Sequence, residues 1–563
     1  MKKPASSLIS LWLRIRWIVL LVLLAGPARA QFSATASASQ FVCNAPGNQF
    51  GVQAVPDGAG GSFVLWIDKR NGNNSGLGTG IYAQRLNAAG VPLLAANGKR
   101  LFQTGSRDIF GLKVVPWQYG FLVAWVQGAF GIGGDTVRCQ FYSPAGDPQW
   151  SNPTVVAYRT LPTVIYELQY GLNIFPTSTG ATITHDLTLN GGADRLSFNQ
   201  IGFTGVLRFP NNQFQLALAS ANSLLTLSDG GNGFYVVSGY GGLGSPIYAQ
   251  HYDLNGTGWA NALDLTATGA NGRGGQSWRA VCDPAGNLYA VWGSNSGDII
   301  AVKVTPAGAL GWAAPGYVTL CTNPSYQSVP DALWHNNALW AAWNDDRAGQ
   351  NSQTTYLQKA DAAGTLAWPA AGVLVNSLPA FSPEPKLAPS DNGAVMAFYI
   401  TNYSAGTGLR AQKIRPDAML AFPAGGVALH TVEPDRAAGQ DLVPVAQPNG
   451  SVQVFWVSAG AAPTGQDIVA GRMQNSGTLL GTERAAAVLG FDVYPNPAAT
   501  ELQLQFPTAA RPTGLRLYDG QGRLVRAFAD AARPLPLRGL PVGLYVLRAT
   551  VAGQAVSRRV AVE

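Results

Sequence analysis

A chain of 563 residues is too long for one ordinary compact core, so several domains or an array of repeats are expected. With 47% hydrophobic and 12% charged residues it is a folding chain, and its 67 Gly and 36 Pro point to many strands joined by turns. The formal charge of +7 belongs to the two ends: with residues 1–30 and 488–563 set aside, the middle carries a net −2, which excludes a basic footprint for nucleic acid.

Lys2, Lys3, Arg14 and Arg16 precede the apolar run Trp17–Ala25, and Ala28-Arg29-Ala30 places small residues before Gln31. Residues 1–30 therefore read as a cleaved secretory signal peptide, the run being shorter than the roughly 20 residues needed to span a bilayer.

From there the chain repeats. The stretch Ile81-Tyr82-Ala83-Gln84-Arg85-Leu86, running into Asn87-Ala88-Ala89-Gly90, returns in copies starting at Val137, Leu196, Ile247, Ile299, Thr355, Leu409 and Ile468, on average about 55 residues apart. Period-two alternation ending in Asn, Asp, Pro or Gly is a strand entering a hairpin. About 15 residues before each copy lies an apolar run ending in Trp66, Trp125, His185, Ser238, Trp292, Trp343, Phe398 or Trp456. A third marker follows the hairpin glycine at Trp150, Phe209, Trp259, Trp312, Trp368 and Phe422.

Four strands in each unit of this length is the pattern of propeller blades, because a lone four-stranded sheet would leave two apolar faces wet. The expected fold of residues 31–487 is an all-β propeller, eight blades favoured and seven the alternative if the worn third unit is irregular. A solenoid or stacked sandwiches is the competing architecture. Gln40-Phe41-Val42-Cys43-Asn44 resembles the end of a unit's outer strand at Thr319-Leu320-Cys321-Thr322. Residues 40–44 are accordingly expected to pair into the last blade and lock the ring.

The search for chemistry yields little. His185, His251, His335 and His430 fall in different repeats, and Cys43, Cys139, Cys282 and Cys321 form no CxxC pair, so no metal or cofactor site is expected. No G-x-S-x-G elbow, P-loop or complete sialidase-type turn is present, Ser228-Asp229-Gly230-Gly231 being the nearest approach to the last. Asp57, Asp283, Asp361 and Asp391 recur at turn positions, where an Asx turn explains them, while Asp108, Glu167 and Glu384 stand outside the repeat. One constellation recurs: Trp66-x-Asp68-x-Arg70 and Trp343-x-Asp345-Asp346-Arg347. These residues are the candidate ligand-binding lip, an aromatic and polar set able to hold a glycan; the competing reading makes them Asp–Arg braces that close a loop.

After Leu489 the repeat stops. Val493-Tyr494-Pro495-Asn496-Pro497 is followed by the alternating strand Glu501–Phe506, by Tyr518-Asp519 with Gly522, by Leu540-Pro541 with Gly543 and Tyr545, and by a basic-apolar last strand. Composition and turn spacing read as a small immunoglobulin-like β-sandwich over residues 488–563. In order and spacing these motifs resemble the type IX secretion system C-terminal sorting domain, with Tyr494, Pro495, Asn496, Pro497, Asp519, Gly522, Gly543 and Tyr545 carrying the likeness. The resemblance implies a member of the Bacteroidota, passage through the Sec translocon and then the type IX machinery, and release from or attachment to surface lipopolysaccharide after the domain is removed. The expected function is a secreted or cell-surface propeller for non-catalytic glycan or protein binding or adhesion. A polysaccharide-active glycosidase or lyase, or a structural surface-layer component, is the alternative.

Overall fold

The computed structural model describes residues 32–479 and 492–562, except 33–35, 37–39, 72–77, 106–107, 129–135, 159–171, 188–194, 210–213, 218–222, 232, 240–244, 268–277, 350–352, 378–384, 402–407, 432–440, 460–464, 495–497, 506–512, 520–522, 529–533 and 552–553. The region expected to be the signal peptide lies outside the described residues, as do Glu167, Glu384, Pro495, Asn496, Pro497 and Gly522. No helix among the described residues is long and apolar enough to cross a membrane. The chain divides into two compact units, Met1–Gly481 and Thr482–Glu563.

Among the described residues, the first unit contains eight four-stranded antiparallel sheets. Sheet 1 comprises Gln49–Pro56, Ser62–Asp68, Gly80–Leu86 and Lys99–Gln103. Sheets 2 to 7 begin at Asp108, Asn173, Ser223, Trp278, Gln327 and Lys386, each with its strands in sequence order. Sheet 8 departs from this rule. Its three strands Val443–Ala446, Val452–Ala459 and Gln466–Met473 are completed by Gln40–Cys43, which pairs antiparallel to the third of them. The register sets Cys43 opposite Ile468 across a bulge, as Cys321 stands opposite Ile299 in sheet 5. The first strand of every sheet touches the first strand of the next, and sheet 8 returns to sheet 1, so the succession closes on itself.

The repeated residues account for this arrangement. All eight copies of the Ala-Gln stretch form third strands, and all eight positions of the second marker lie in second strands and are buried. A recurring side-chain amide explains the Gln. Gln84, Gln140, Gln250, Gln358 and Gln412 each donate Nε2 to a carbonyl in the hairpin that follows, while their Oε1 accepts the next residue's backbone N–H. Every third strand makes the same isolated bridge beyond its hairpin, from Leu86–Pro92 in sheet 1 to Met473–Leu479 in sheet 8. The turn acids behave as Asx caps: Oδ1 of Asp57, Asp283 and Asp361 each accepts two backbone N–H groups.

Neighbouring sheets are stapled by the third marker. The indole N–H of Trp150, Trp259, Trp312 and Trp368 donates to a hairpin carbonyl of the next sheet, at Phe203, Pro306, Ala362 and Pro416. Each ring also lies on the turn; a Cβ added to Gly205 would stand 2.6 Å from Trp150. Sheet 8 takes this aromatic from the N-terminal arm, where Phe32 is buried and would meet a Cβ on Gly90 at 2.6 Å. The same arm therefore supplies both the last strand of sheet 8 and its contact with sheet 1.

His430 ends the outer strand of sheet 7, opposite Leu409, and its ring lies 5.4 Å from that of Trp456 in sheet 8. Burial pushes its imidazole down to about 4. The folded chain thus holds it neutral where the unfolded chain, near 6.5, takes a proton. Its contribution is complete above the unfolded value and falls away as pH drops toward the folded one, by about 2–3 kcal/mol at pH near 4.5. Urea midpoints at neutral pH and at this acid pH are expected to differ less in His430→Leu than in the parent. Equal differences would refute the assignment.

In the second unit, Asp492–Tyr494, Glu501–Gln505 and Leu535–Pro536 form one sheet; Leu524–Ala527, Thr513–Tyr518, Gly543–Val551 and Gln554–Val562 form another. Leu502 and Leu535 from the first sheet share a buried cluster with Leu517, Tyr545, Leu547 and Val560 from the second.

Candidate functional site

Both copies of the recurring Trp–Asp–Arg set sit at the end of a second strand, Asp68 closing Ser62–Asp68 and Asp345 closing Ala338–Asp345. Trp66, Asp68, Trp343 and Asp345 are buried, and the Arg70 and Arg347 side chains are 17% exposed. The Asp68 carboxylate accepts from the Trp66 indole at 2.8 Å and from Arg70 Nη2 at 2.6 Å. Asp345 accepts from the Trp343 indole at 3.2 Å, from Arg347 Nε and Nη2 at 2.8 and 2.6 Å, and from the Ser325 hydroxyl at 2.9 Å. Arg70 caps the Tyr82 ring at 4.0 Å and Arg347 the Tyr356 ring at 3.7 Å.

Each arginine also reaches the outer strand of the preceding sheet. Arg70 Nη2 lies 3.0 Å from Cys43 Sγ and Arg347 Nη2 lies 3.4 Å from Cys321 Sγ. The two clusters are thus one arrangement used twice, tying the end of a buried strand to the sheet before it. In sheet 1 that neighbour is the closing strand. Burial pushes the Asp345 carboxyl up, but the hydrogen bonds from Arg347, Ser325 and Trp343 outweigh it and hold the group below its ordinary range. Burial likewise raises the thiols, Cys43 to about 12. All four cysteines are free, and a thiol so raised is a poor nucleophile.

Of the acids outside the repeat, Asp108 is described, and it accepts the Thr79 hydroxyl at 2.5 Å. Among the described residues no group of three His, Cys, Asp or Glu is placed to hold a metal.

A different set of residues breaks the pattern at the opposite strand ends, where first strands turn into second and third into fourth. In sheet 2 the first turn is Trp117-Gln118-Tyr119-Gly120, where other sheets carry Asp, Asn, Ser or Thr with Gly or Ala. In sheet 3 the hairpin tip is Phe203-Thr204-Gly205-Val206. Tyr119 is 60% exposed, Phe203 47% and Val206 68%. The rings form a connected series. Phe203 lies 5.2 Å from Trp117, Tyr119 lies 5.1 Å from Phe141, and Phe141 lies 6.4 Å from Trp150, whose indole N–H donates to the Phe203 carbonyl. The Tyr119 hydroxyl donates to Gln149 Oε1 at 2.5 Å. Sequence reasoning singled out the Trp66-x-Asp68-x-Arg70 and Trp343-x-Asp345-Asp346-Arg347 sets, at the other edge. The departure of Trp117-Gln118-Tyr119 from the Asx-turn pattern was the available signal.

The sorting motif is partly described. Asp519 accepts the Arg523 backbone N–H at 3.0 Å and pairs with its guanidinium at 2.8 Å. Tyr545 is buried and donates its hydroxyl to the Pro541 carbonyl at 2.8 Å, Gly543 opens the Gly543–Val551 strand, and Tyr494 ends Asp492–Tyr494.

Residues 492–563 match the family described as the secretion system C-terminal sorting domain. The C-terminal segment is that domain, and it marks the chain for the type IX secretion machinery, to be secreted or attached at the cell surface. No curated protein matches the chain. Among solved structures, a puromycin hydrolase is 14% identical with a TM-score of 0.34 over 77% of this chain; the match covers 62% of that enzyme, less than two thirds of its length. The β-propeller domain of the Trilobed protease from Pyrococcus furiosus is 6% identical with a TM-score of 0.35, over 65% of this chain and 95% of that one. The polysaccharide lyase Uly1 is 10% identical with a TM-score of 0.37, over 64% of this chain and 89% of that one.

Proposed function

We propose that the protein is a secreted or surface-displayed eight-bladed β-propeller that binds a glycan or protein ligand without chemistry, as an adhesion module does. Residues 1–30 are read as the signal peptide handled by the Sec translocon, 31–487 as the propeller, and 488–563 as the immunoglobulin-like sorting domain. Surface lipopolysaccharide is the attachment point where the cargo is retained. The closed succession of eight sheets supports the blade count. The observation that carries a binding role is the exposed Tyr119–Phe203–Val206 patch, whose two rings stand on turns that carry no Phe, Tyr or Trp in the other repeats. Trp66, Asp68, Arg70, Trp343, Asp345 and Arg347 then serve as braces, a reading supported by carboxylates spent wholly on their own neighbours.

The test is incubation of the full chain with soluble polysaccharides while product size is followed by chromatography. Unchanged chain length is expected. Turnover that is lost in Glu167→Gln or Glu384→Gln would replace this reading with a polysaccharide-active enzyme.

A further inference from the structure

We infer that the ligand of the Tyr119–Phe203 patch is an uncharged or weakly charged glycan, which stacks on the two exposed rings. This rests on the binding role proposed above and adds the ligand's chemistry and the residues that hold it.

The repeat supplies its own comparison. Seven of the eight first turns carry no aromatic residue, and at the hairpin tip the counterparts of Phe203 are Ala88, Pro144, Leu254, Pro306, Ala362, Pro416 and Asn475. The turn geometry therefore needs no ring at either place. The Phe203 carbonyl accepts the Trp150 indole just as the Pro306 carbonyl accepts that of Trp259, so the inter-sheet staple does not need the Phe203 side chain. Exposed aromatic surface costs solubility, and nothing in the blade's own packing calls for it here.

The chemistry of the patch selects the ligand. Phe203 and Tyr119 expose aromatic surface, and an aromatic π-face attracts the polarised C–H groups on the flat side of a pyranose. Beside them the Tyr119 hydroxyl and the exposed Gln149 amide form a pair able to exchange donors and acceptors with sugar hydroxyls. The Trp117 indole N–H is buried and has no hydrogen-bond partner among the described residues. Asp147, two residues before Gln149, is paired with Lys99 at 2.5 Å and so brings no unpaired negative charge to this hairpin. Size argues in the same direction. A stable protein interface takes about 800 Å² from each partner, some twenty or more residues, whereas two rings and one valine suit one or two sugar units.

Affinity electrophoresis of the full chain in gels cast with laminarin, xylan, arabinan, dextran or pectin tests the proposal. Retardation by at least one of the five is expected. Tyr119→Ala and Phe203→Ala should each weaken it by roughly tenfold, the loss of one stacking contact. Tyr119 is 60% exposed and Phe203 about half exposed, so both variants should stay folded with only a small drop in melting temperature; Met419→Ala, at a 57% exposed residue in the sheet 7 hairpin, should leave retardation intact. Retardation unaltered in the Tyr119→Ala/Phe203→Ala double variant would overturn this site while sparing the general binding role. Retardation by none of the five, with capture of a protein ligand that the double variant abolishes, would overturn the glycan assignment alone. Retardation by none, with no protein ligand either, would overturn both.

Discussion

Chains ending after residue 487 are expected to accumulate in the periplasm, with none at the cell surface or in the medium. The cut falls in the stretch between the third strand of sheet 8, Gln466–Met473, and the first of the sorting domain, Asp492–Tyr494, so no sheet of the first unit is opened. What is lost is the segment that matches the sorting-domain family. Fractionation, with protease added to intact cells, reads the result. Protease-accessible truncated protein on whole cells would defeat the expectation. A periplasmic reporter carrying residues 488–563 is expected to move the other way, to the surface or medium, which separates a delivery signal from a mere stabilising tail.

Asp345→Ala is expected to lower the unfolding free energy by about 3–5 kcal/mol, the loss typical when one partner of a buried charge pair is removed. Arg347 keeps its charge but loses its carboxylate, and the Trp343 indole loses its acceptor inside a strand that is buried along its length. Because the Asp345 carboxyl is held below its ordinary range, its stabilisation is present above that range and disappears as pH falls through the folded value. The variant's deficit should therefore shrink in acid. Asp68→Ala should cost a similar amount and also loosen the seam, since Arg70 bridges Asp68 to Cys43 on the closing strand. Asp147→Ala is the control: its carboxylate is 61% exposed, and surface pairs of that kind contribute about 0–1 kcal/mol. Urea midpoints for Asp345→Ala and Asp147→Ala that fall equally would remove the brace from the account of stability.

These two expectations rest on features of different legibility. The sorting motif is local, and Tyr494, Asp519, Gly543 and Tyr545 could be read from spacing. The Trp–Asp–Arg set was visible as a recurrence, but recurrence alone does not say whether an acid faces solvent or a neighbouring guanidinium. The cysteine half of the cluster was hidden because Cys43 and Arg70 are 27 residues apart and belong to different sheets. The aromatic patch was hidden for the same kind of reason: Tyr119 and Phe203 sit in successive repeats and are brought together by the contact of Phe203 with Trp117 and by the packing of Phe141 and Trp150.

Within the repeat, sequence was sufficient wherever a position had one job in every sheet. Close packing admits few side chains at a second-strand core position, and most of the hairpins take the same amide cap, so the equivalents of Trp66 and Gln84 return at nearly constant intervals and betray four strands per unit. The tail's address was equally local. How the ends meet was legible in part: the likeness of Gln40–Asn44 to Thr319–Thr322 pointed to the strand that completes sheet 8, while only the tertiary structure showed that Phe32 fills the aromatic position that sheet 8 lacks. Tertiary structure also decided that the recurring Trp–Asp–Arg residues turn inward and that the two exceptional turns lie side by side. The physical reason is that burial and juxtaposition depend on which sheet faces which, and a contact made at one seam alone leaves no periodic trace in the chain that makes it.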